Sequence, residues 1–175
     1  MKIEIKLFNG QIMPELINIG EWCDLRCNED VTLKAPKVEV IKNKNGNETH
    51  KVTFDSKLFG LGVAMRLPRG YEAVILPRSS TFKKTHTILS NSQGVIDNSY
   101  SGDNDEWKYN AIALSTSHIK KGDRICQFRI QLSQKATVWQ KLRWLFSSKI
   151  KLVQVDHLGN EDRGGFGSTD TKETK

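Results

Sequence analysis

Gly94-Val95-Ile96-Asp97-Asn98-Ser99-Tyr100-Ser101-Gly102 is the stretch around which the rest of the chain is organised. An apolar pair leads into one acid, and a tyrosine follows before the closing glycine. The two glycines permit tight turns and close approach of the backbone to a ligand. Val95 and Ile96 favour a strand, so the segment reads as a bent hairpin with Asp97 near its bend, against apolar neighbours and beside an aromatic face. Such a pocket suits a planar, polar small molecule held next to one carboxylate. On composition alone the same segment also reads as a purely structural turn.

Outward from that stretch, the chain has 175 residues, the size of one domain with a substantial core. Hydrophobic residues make up 37% and charged residues 27%, the balance of a soluble protein. No apolar run reaches the length of a membrane span and the N-terminus lacks a signal pattern, so the expectation is a cytoplasmic protein without a membrane partner. Cys23, Cys27 and Cys126 are an odd number and fit a reducing interior, and no second pair completes a zinc site. The net charge of +7 invites a nucleic-acid reading. The basic residues are scattered, however, apart from a cluster between Lys135 and Lys151, so no direct nucleic-acid contact is expected.

Lys2–Leu7, 37–41 and 51–55 alternate in polarity, as half-buried strands do. A polar turn with Asn45-Gly46 joins the last two into a hairpin with a protruding tip. Short apolar runs at 63–67, 73–76, 111–114 and 128–132, punctuated by turn residues, predict an antiparallel all-β sandwich or barrel. One segment reads as a helix, from Val138 to Ser148. There Val138, Trp139, Leu142, Leu145 and Phe146 share a face expected to dock on the sheet. Trp144, with Lys141 and Arg143, is expected toward solvent as a partner contact.

Four further signals surround the opening stretch in chain order: Cys23-Asp24-Leu25-Arg26, Pro77-Arg78-Ser79-Ser80, Gly122-Asp123-Arg124-Ile125-Cys126-Gln127, and Arg163-Gly164-Gly165-Phe166-Gly167-Ser168-Thr169. A guanidinium fork beside hydroxyls is suited to phosphate oxygens. Together with Gly94–Gly102, the five resemble the motifs of the trimeric dUTPases, and the extra elements resemble those of bacteriophage-encoded members. The resemblance implies an all-β subunit of β-clip or distorted jelly-roll type with one short accessory helix, assembled as a homotrimer. It divides the chain into a core at 1–160, carrying an accessory hairpin at 37–55 and a helix segment at 136–148, and a C-terminal arm at 161–175.

The implied reaction is hydrolysis of dUTP to dUMP and pyrophosphate, with Asp97 as the base that activates water. Asp24 would hold Mg2+ through water, a role that fits an ion which keeps much of its hydration. Arg78, Ser79, Ser80 and Gln127 would bind phosphates. Asn91, Gly94 and Ile96 would order and read the uracil, and Tyr100 would lie under the deoxyribose. Phe166 and Gly167 would close over the base, with Ser168, Thr169 and Arg163 at the terminal phosphates. Arg163 stands two residues downstream of the family's usual arginine, where this chain has Glu161. Arg124 would pair with a backbone group or carboxylate between subunits. Two alternatives stay open. One is a dCTP deaminase of shared fold, disfavoured by Thr81-Phe82-Lys83-Lys84 after Arg-Ser-Ser. The other is a regulatory protein that binds a DNA-binding repressor through the accessory segments, alongside catalysis in a bacterial host's cytoplasm.

Overall fold

A computed structural model describes residues 1–14, 21–146 and 149–165. The alternation of Lys2–Leu7 becomes strand β1 over those residues, with Ile3 and Ile5 buried. It lies between β14 (Lys151–Gln154), to which it is parallel, and β7 (Val63–Arg66), to which it is antiparallel. The sheet that positions the site is antiparallel, in the order β10 (Gly94–Asp97), β8 (Tyr71–Pro77), β13 (Arg124–Leu132), β2 (Cys23–Arg26). A third sheet runs β6 (Ser56–Gly60), β11 (Lys108–Ala113), β9 (Thr87–Leu89), and β12 (Ser117–Ile119) pairs β3 (Val31–Leu33). Inward-facing residues of these sheets meet in one core, where Trp107 sets its ring edge-on to Phe128 at 5.2 Å and Phe59 packs on Tyr109 at 5.6 Å.

The all-β expectation therefore holds, and so does the hairpin, formed by β4 (Lys37–Lys42) and β5 (Glu48–Thr53). Every residue of both strands is exposed, so the alternation there marks strand conformation without burial.

Three readings need correction. The Gly94–Gly102 segment is not a hairpin. Strand β10 pairs with β8, and the chain then turns away through a loop to β11 in another sheet. A short helix, α1 (Thr81–Thr85), follows Ser80 and was not legible from periodicity. Its start is fixed by the Thr81 hydroxyl, which donates to the Ile125 carbonyl at 2.7 Å and accepts from the Arg78 N–H at 3.0 Å.

The third correction concerns the longer helix, α2 (Val138–Phe146), which exists but is turned the other way. Trp144 packs inward, its ring 5.6 Å from that of Tyr71, whereas Trp139 and Phe146 are 80% and 84% exposed. The rotation is set at the helix start by a capping box. The Gln140 N–H donates to the Thr137 hydroxyl, and the Thr137 N–H donates back to Gln140 Oε1. Gln140 then donates to the Arg69 carbonyl, which places Ala136, Gln140 and Trp144, spaced four residues apart, against the body of the protein.

Candidate active site

Two groups of predicted residues are built by the four-stranded sheet, one at each end of β8. At the end where β8 leads into α1, Asp24 of β2 stands in register with Gln127 of β13. Arg78 follows the last residue of β8, and its Nε donates to Asp24 Oδ1 at 2.8 Å. Arg124 donates to the other oxygen, Asp24 Oδ2, at 3.2 Å. Asp24 is 10% exposed, so one nearly buried carboxylate orders two guanidinium groups at a sheet edge. Arg124 thus has a carboxylate partner within its own chain. Gln127 lies between, its amide donating to the Pro77 carbonyl at 3.4 Å. Ser79 is exposed, and Ser80 makes no side-chain capping bond at the start of α1. The group concentrates positive charge and hydroxyls on one rim, the chemistry of an anion site.

The other group surrounds Asp97, the last residue of β10, opposite Glu72 of β8. The expectation that Asp97 presses against apolar neighbours is wrong, since its side chain is 47% exposed. The Ser99 N–H donates to Asp97 Oδ1 at 2.8 Å, joined by the Ser99 hydroxyl, and Arg163 Nη1 donates to Oδ2 at 2.7 Å. Partial burial works against the charge, but the Ser99 donors and the Arg163 guanidinium outweigh it and hold the carboxyl below its ordinary 3.8. At neutral pH Asp97 is an ionised acceptor.

Tyr100 is buried, and its hydroxyl donates to the Glu106 carbonyl at 2.9 Å, which fixes the ring. Burial, reinforced by Asp105, Glu106 and Asp162, pushes that hydroxyl up to about 12, so it stays a neutral donor. Asn91 is exposed in the turn before β10, Gly94 is paired with Ile75, and Ile96 packs against the core. A Cβ on Gly94 would approach that of Ile75 to 3.3 Å, so the strands run closer there than most side chains allow. Phe166, Gly167, Ser168 and Thr169 lie outside the described residues.

The two groups do not meet within one chain. Asp97 lies beside Glu72, and Arg78 stands six residues further along the chain, just past the end of β8. At about 3.3 Å per extended residue they are roughly 20 Å apart. The residues that sequence reasoning missed are Ser99, Asp105 and Glu106. The Asp97-Asn98-Ser99 spacing was a usable signal, since an aspartate commonly accepts from the N–H two residues on. The acidic run Asp103-Asn104-Asp105-Glu106 reads as a solvated loop and gave none. A cleft of about 810 Å³ between Trp144, Ile150, Met13 and Phe128 holds neither group.

Among the described residues, no group of three or more His, Cys, Asp or Glu could cage a metal ion. A single carboxylate beside guanidinium and hydroxyl groups suited to phosphate still fits Mg2+, which is commonly held by one or two carboxylates together with substrate phosphates and water. Also among the described residues, no helix is long and apolar enough to cross a membrane.

Comparison with known proteins completes the picture. A family model described as dUTPase matches residues 47–143. The chain is 46% identical, over 98% of its own length and 100% of the other's, to the SPbeta prophage-derived deoxyuridine 5'-triphosphate nucleotidohydrolase YosS of Bacillus subtilis. Among solved structures, a mutant dUTPase from phage phi11 of S. aureus, determined to show the coordination of a structural Mg(II) ion, superposes with a TM-score of 0.57 at 19% identity. That match covers 78% of this chain and 94% of the other. The dUTPase of Staphylococcus bacteriophage 80alpha, described as controlling transfer of virulence genes by a G protein-like mechanism, gives 0.57 at 18% identity, over 78% and 93% of the two chains. These structural likenesses establish the β-clip fold, and the sequence relationships establish kinship: the chain belongs to the dUTPase family, the deoxyuridine 5'-triphosphate nucleotidohydrolases.

Proposed function

We propose that the chain converts dUTP to dUMP and pyrophosphate by attack of water on the α-phosphorus, in sites shared between the subunits of a homotrimer. The observation that carries this reading is the separation of the two groups along β8. A general base acts only within hydrogen-bond reach, directly or through one water, of the proton it takes. The Asp97 group of one subunit and the Asp24–Arg78–Gln127 group of another must therefore be brought together by assembly.

In such a site Asp97, already ionised, accepts the proton of the attacking water. Tyr100, its ring fixed by the Glu106 carbonyl, lies under the deoxyribose and leaves no room for a 2′-hydroxyl. Asn91 and the backbone at Gly94 and Ile96 read the uracil edge. Arg78, Ser79, Ser80 and Gln127 meet the charge that builds on the phosphate oxygens. When bound, Mg2+ would neutralise the triphosphate, held through water by Asp24. The arm, residues 161–175, closes the site with Phe166 over the base and Gly167, Ser168, Thr169 and Arg163 toward the phosphates, while residues 1–160 form the core. The three free cysteines among the described residues support a reducing, cytoplasmic setting.

Incubation with dUTP, dCTP and UTP, with detection of pyrophosphate and ammonia, tests the reaction directly. Pyrophosphate from dUTP alone is the expected result. Asp97→Asn keeps the shape of the side chain but loses proton acceptance, so turnover should fall roughly 10²- to 10⁴-fold while nucleotide binding persists. Near-normal turnover in that variant removes Asp97 from the mechanism.

A second reading, a protein-binding role alongside catalysis, is favoured by α2. Val138, Trp139, Leu145 and Phe146 turn one large apolar face outward. No acidic residue occurs from Arg124 to Val155, so the surroundings of that face are basic. A partner would meet Trp139 and Phe146, not Trp144. Loss of binding in Trp139→Ala with Phe146→Ala, at unchanged hydrolysis, supports this reading, and unchanged binding refutes it.

A further inference from the structure

Tyr100 is held in place by a residue outside the five motifs. Its hydroxyl donates to the Glu106 carbonyl at 2.9 Å, and that carbonyl belongs to the peptide joining Glu106 to Trp107. The peptide is planar, so its carbonyl and its N–H point to opposite sides. On the far side the Trp107 N–H donates to the Val63 carbonyl at 2.8 Å. The Trp107 carbonyl in turn accepts the Leu61 N–H at 2.9 Å. The peptide that meets Tyr100 is therefore hung from the junction between β6 and β7.

The Glu106 side chain returns to the same junction. Its Oε1 accepts the Gly62 N–H at 2.8 Å and the Asn28 side-chain amide at 3.0 Å. Asn28 is only 8% exposed, and its own backbone N–H donates to the Gly60 carbonyl at 3.0 Å. The carboxylate sits directly over Gly60, where a Cβ would stand 2.3 Å from Oε1 and 2.6 Å from Cδ. The lack of a side chain at Gly60 is what gives the carboxylate its seat. Bonds to an ionised acceptor are stronger than neutral ones, so this second attachment resists tilting of the peptide about its bond to Val63.

We propose that Glu106 is a positioning residue for sugar selection: anchored on Asn28 and Gly62, it fixes the carbonyl that holds the Tyr100 ring and so sets how strictly a 2′-hydroxyl is refused. This rests on the reading of Tyr100 as the residue under the deoxyribose. It deepens that reading by naming the support of the ring, which no residue of the five motifs supplies. Exclusion by contact needs a wall that stays in place, and a displacement of about 1 Å is enough to spoil a site.

The test is the ratio of kcat/KM for dUTP to that for UTP, measured on the full chain. Glu106→Met keeps the bulk of the side chain and loses both acceptor bonds. A pocket commonly discriminates one small group by about 10- to 200-fold, and a loosened wall should lower the ratio about tenfold. Glu106→Gln keeps an oxygen that accepts from the same two donors, so its ratio should stay within about threefold of the native value. In a Tyr100→Phe background, which has no hydroxyl to hold, adding Glu106→Met should change the ratio by less than about twofold. If Glu106→Met melts below the assay temperature, Asn28→Ala decides, since it removes one donor and leaves Glu106 itself in place. A fall of about threefold is expected there.

A merely structural Glu106 would lower turnover of both nucleotides alike and leave the ratio where it was, and that result overturns the proposal. So does a Glu106→Gln ratio as low as that of Glu106→Met, or an effect of Glu106→Met that is equal with and without the Tyr100 hydroxyl. Tyr100→Ala separates this failure from failure of the underlying reading. An unchanged ratio in Tyr100→Ala places sugar choice elsewhere and removes both. A lowered ratio there, beside an unchanged one in Glu106→Met, removes the role of Glu106 alone.

Discussion

Replacing Trp144 and Trp139 separately by alanine measures which way α2 faces. Trp144 is partly buried, packed against the hydrophobic core with its ring 5.6 Å from Tyr71. Removing a fully buried tryptophan costs about 3–5 kcal/mol. With Trp144 only partly covered, and on a helix that can settle into the space, about 2–3 kcal/mol is the expected loss. For a chain of this size each kcal/mol moves Tm by about 2–4 °C, so Trp144→Ala should melt roughly 5–10 °C below the native protein. Trp139, 80% exposed, has little to lose, and its replacement should stay within about 0.5 kcal/mol and 2 °C. Differential scanning calorimetry at matched protein concentration reads both values, the matching being needed because the proposed assembly would make Tm depend on concentration. The reverse order, with Trp139→Ala the damaging change, refutes the packing and restores the orientation that the apolar periodicity alone suggests.

The remaining expectations concern the site. Tyr100→Ala should raise turnover of UTP relative to dUTP, measured as the ratio of kcat/KM values, and an unchanged ratio places sugar discrimination elsewhere. Phe166→Ala removes a stacking face worth about 1–3 kcal/mol, so both KM and kcat should suffer. Truncation after Asn160 should go further, and intact turnover in the truncated protein refutes a closing arm. The depressed Asp97 carboxyl contributes stability that is complete above its unfolded value near 3.8 and is lost as pH falls through the lower folded value. Below about pH 4, Arg163→Gln should therefore narrow its stability difference from the native chain in acid denaturation curves, and a difference that widens there contradicts the sign.

How much of this was legible in the sequence depended on the range of the interactions involved. Strand β1 could be read because a two-residue period is local, and Ile3 and Ile5 fall inward wherever the strand is placed. Asp24, Arg78, Asp97, Tyr100 and Gln127 could be proposed as a set because the chemistry of phosphate binding and proton abstraction restricts residue type, and their motifs occur in order. That the first two and Gln127 gather at one end of β8 while Asp97 stands at the other could not be read. Register between β10, β8, β13 and β2 is a long-range property that no single segment specifies. Asp105 was hidden for a related reason: its three partners are backbone N–H groups, two of them almost sixty residues away, and backbone donors leave no trace in residue type.

Helix α2 failed in a more instructive way. Periodicity correctly grouped Val138, Trp139, Leu142, Leu145 and Phe146 on one side, but grouping does not say which side a core takes. The capping box of Thr137 and Gln140 and the bond to Arg69 made that choice in favour of the narrower stripe that carries Trp144. A chain that spends its smaller apolar stripe on its own core and turns the larger one outward has a sequence suited to a partner surface, whether a neighbouring subunit or another protein. The same logic applies to the proposed site residues, whose two groups stand apart along β8. In both places the proposed function calls for a unit larger than the single chain.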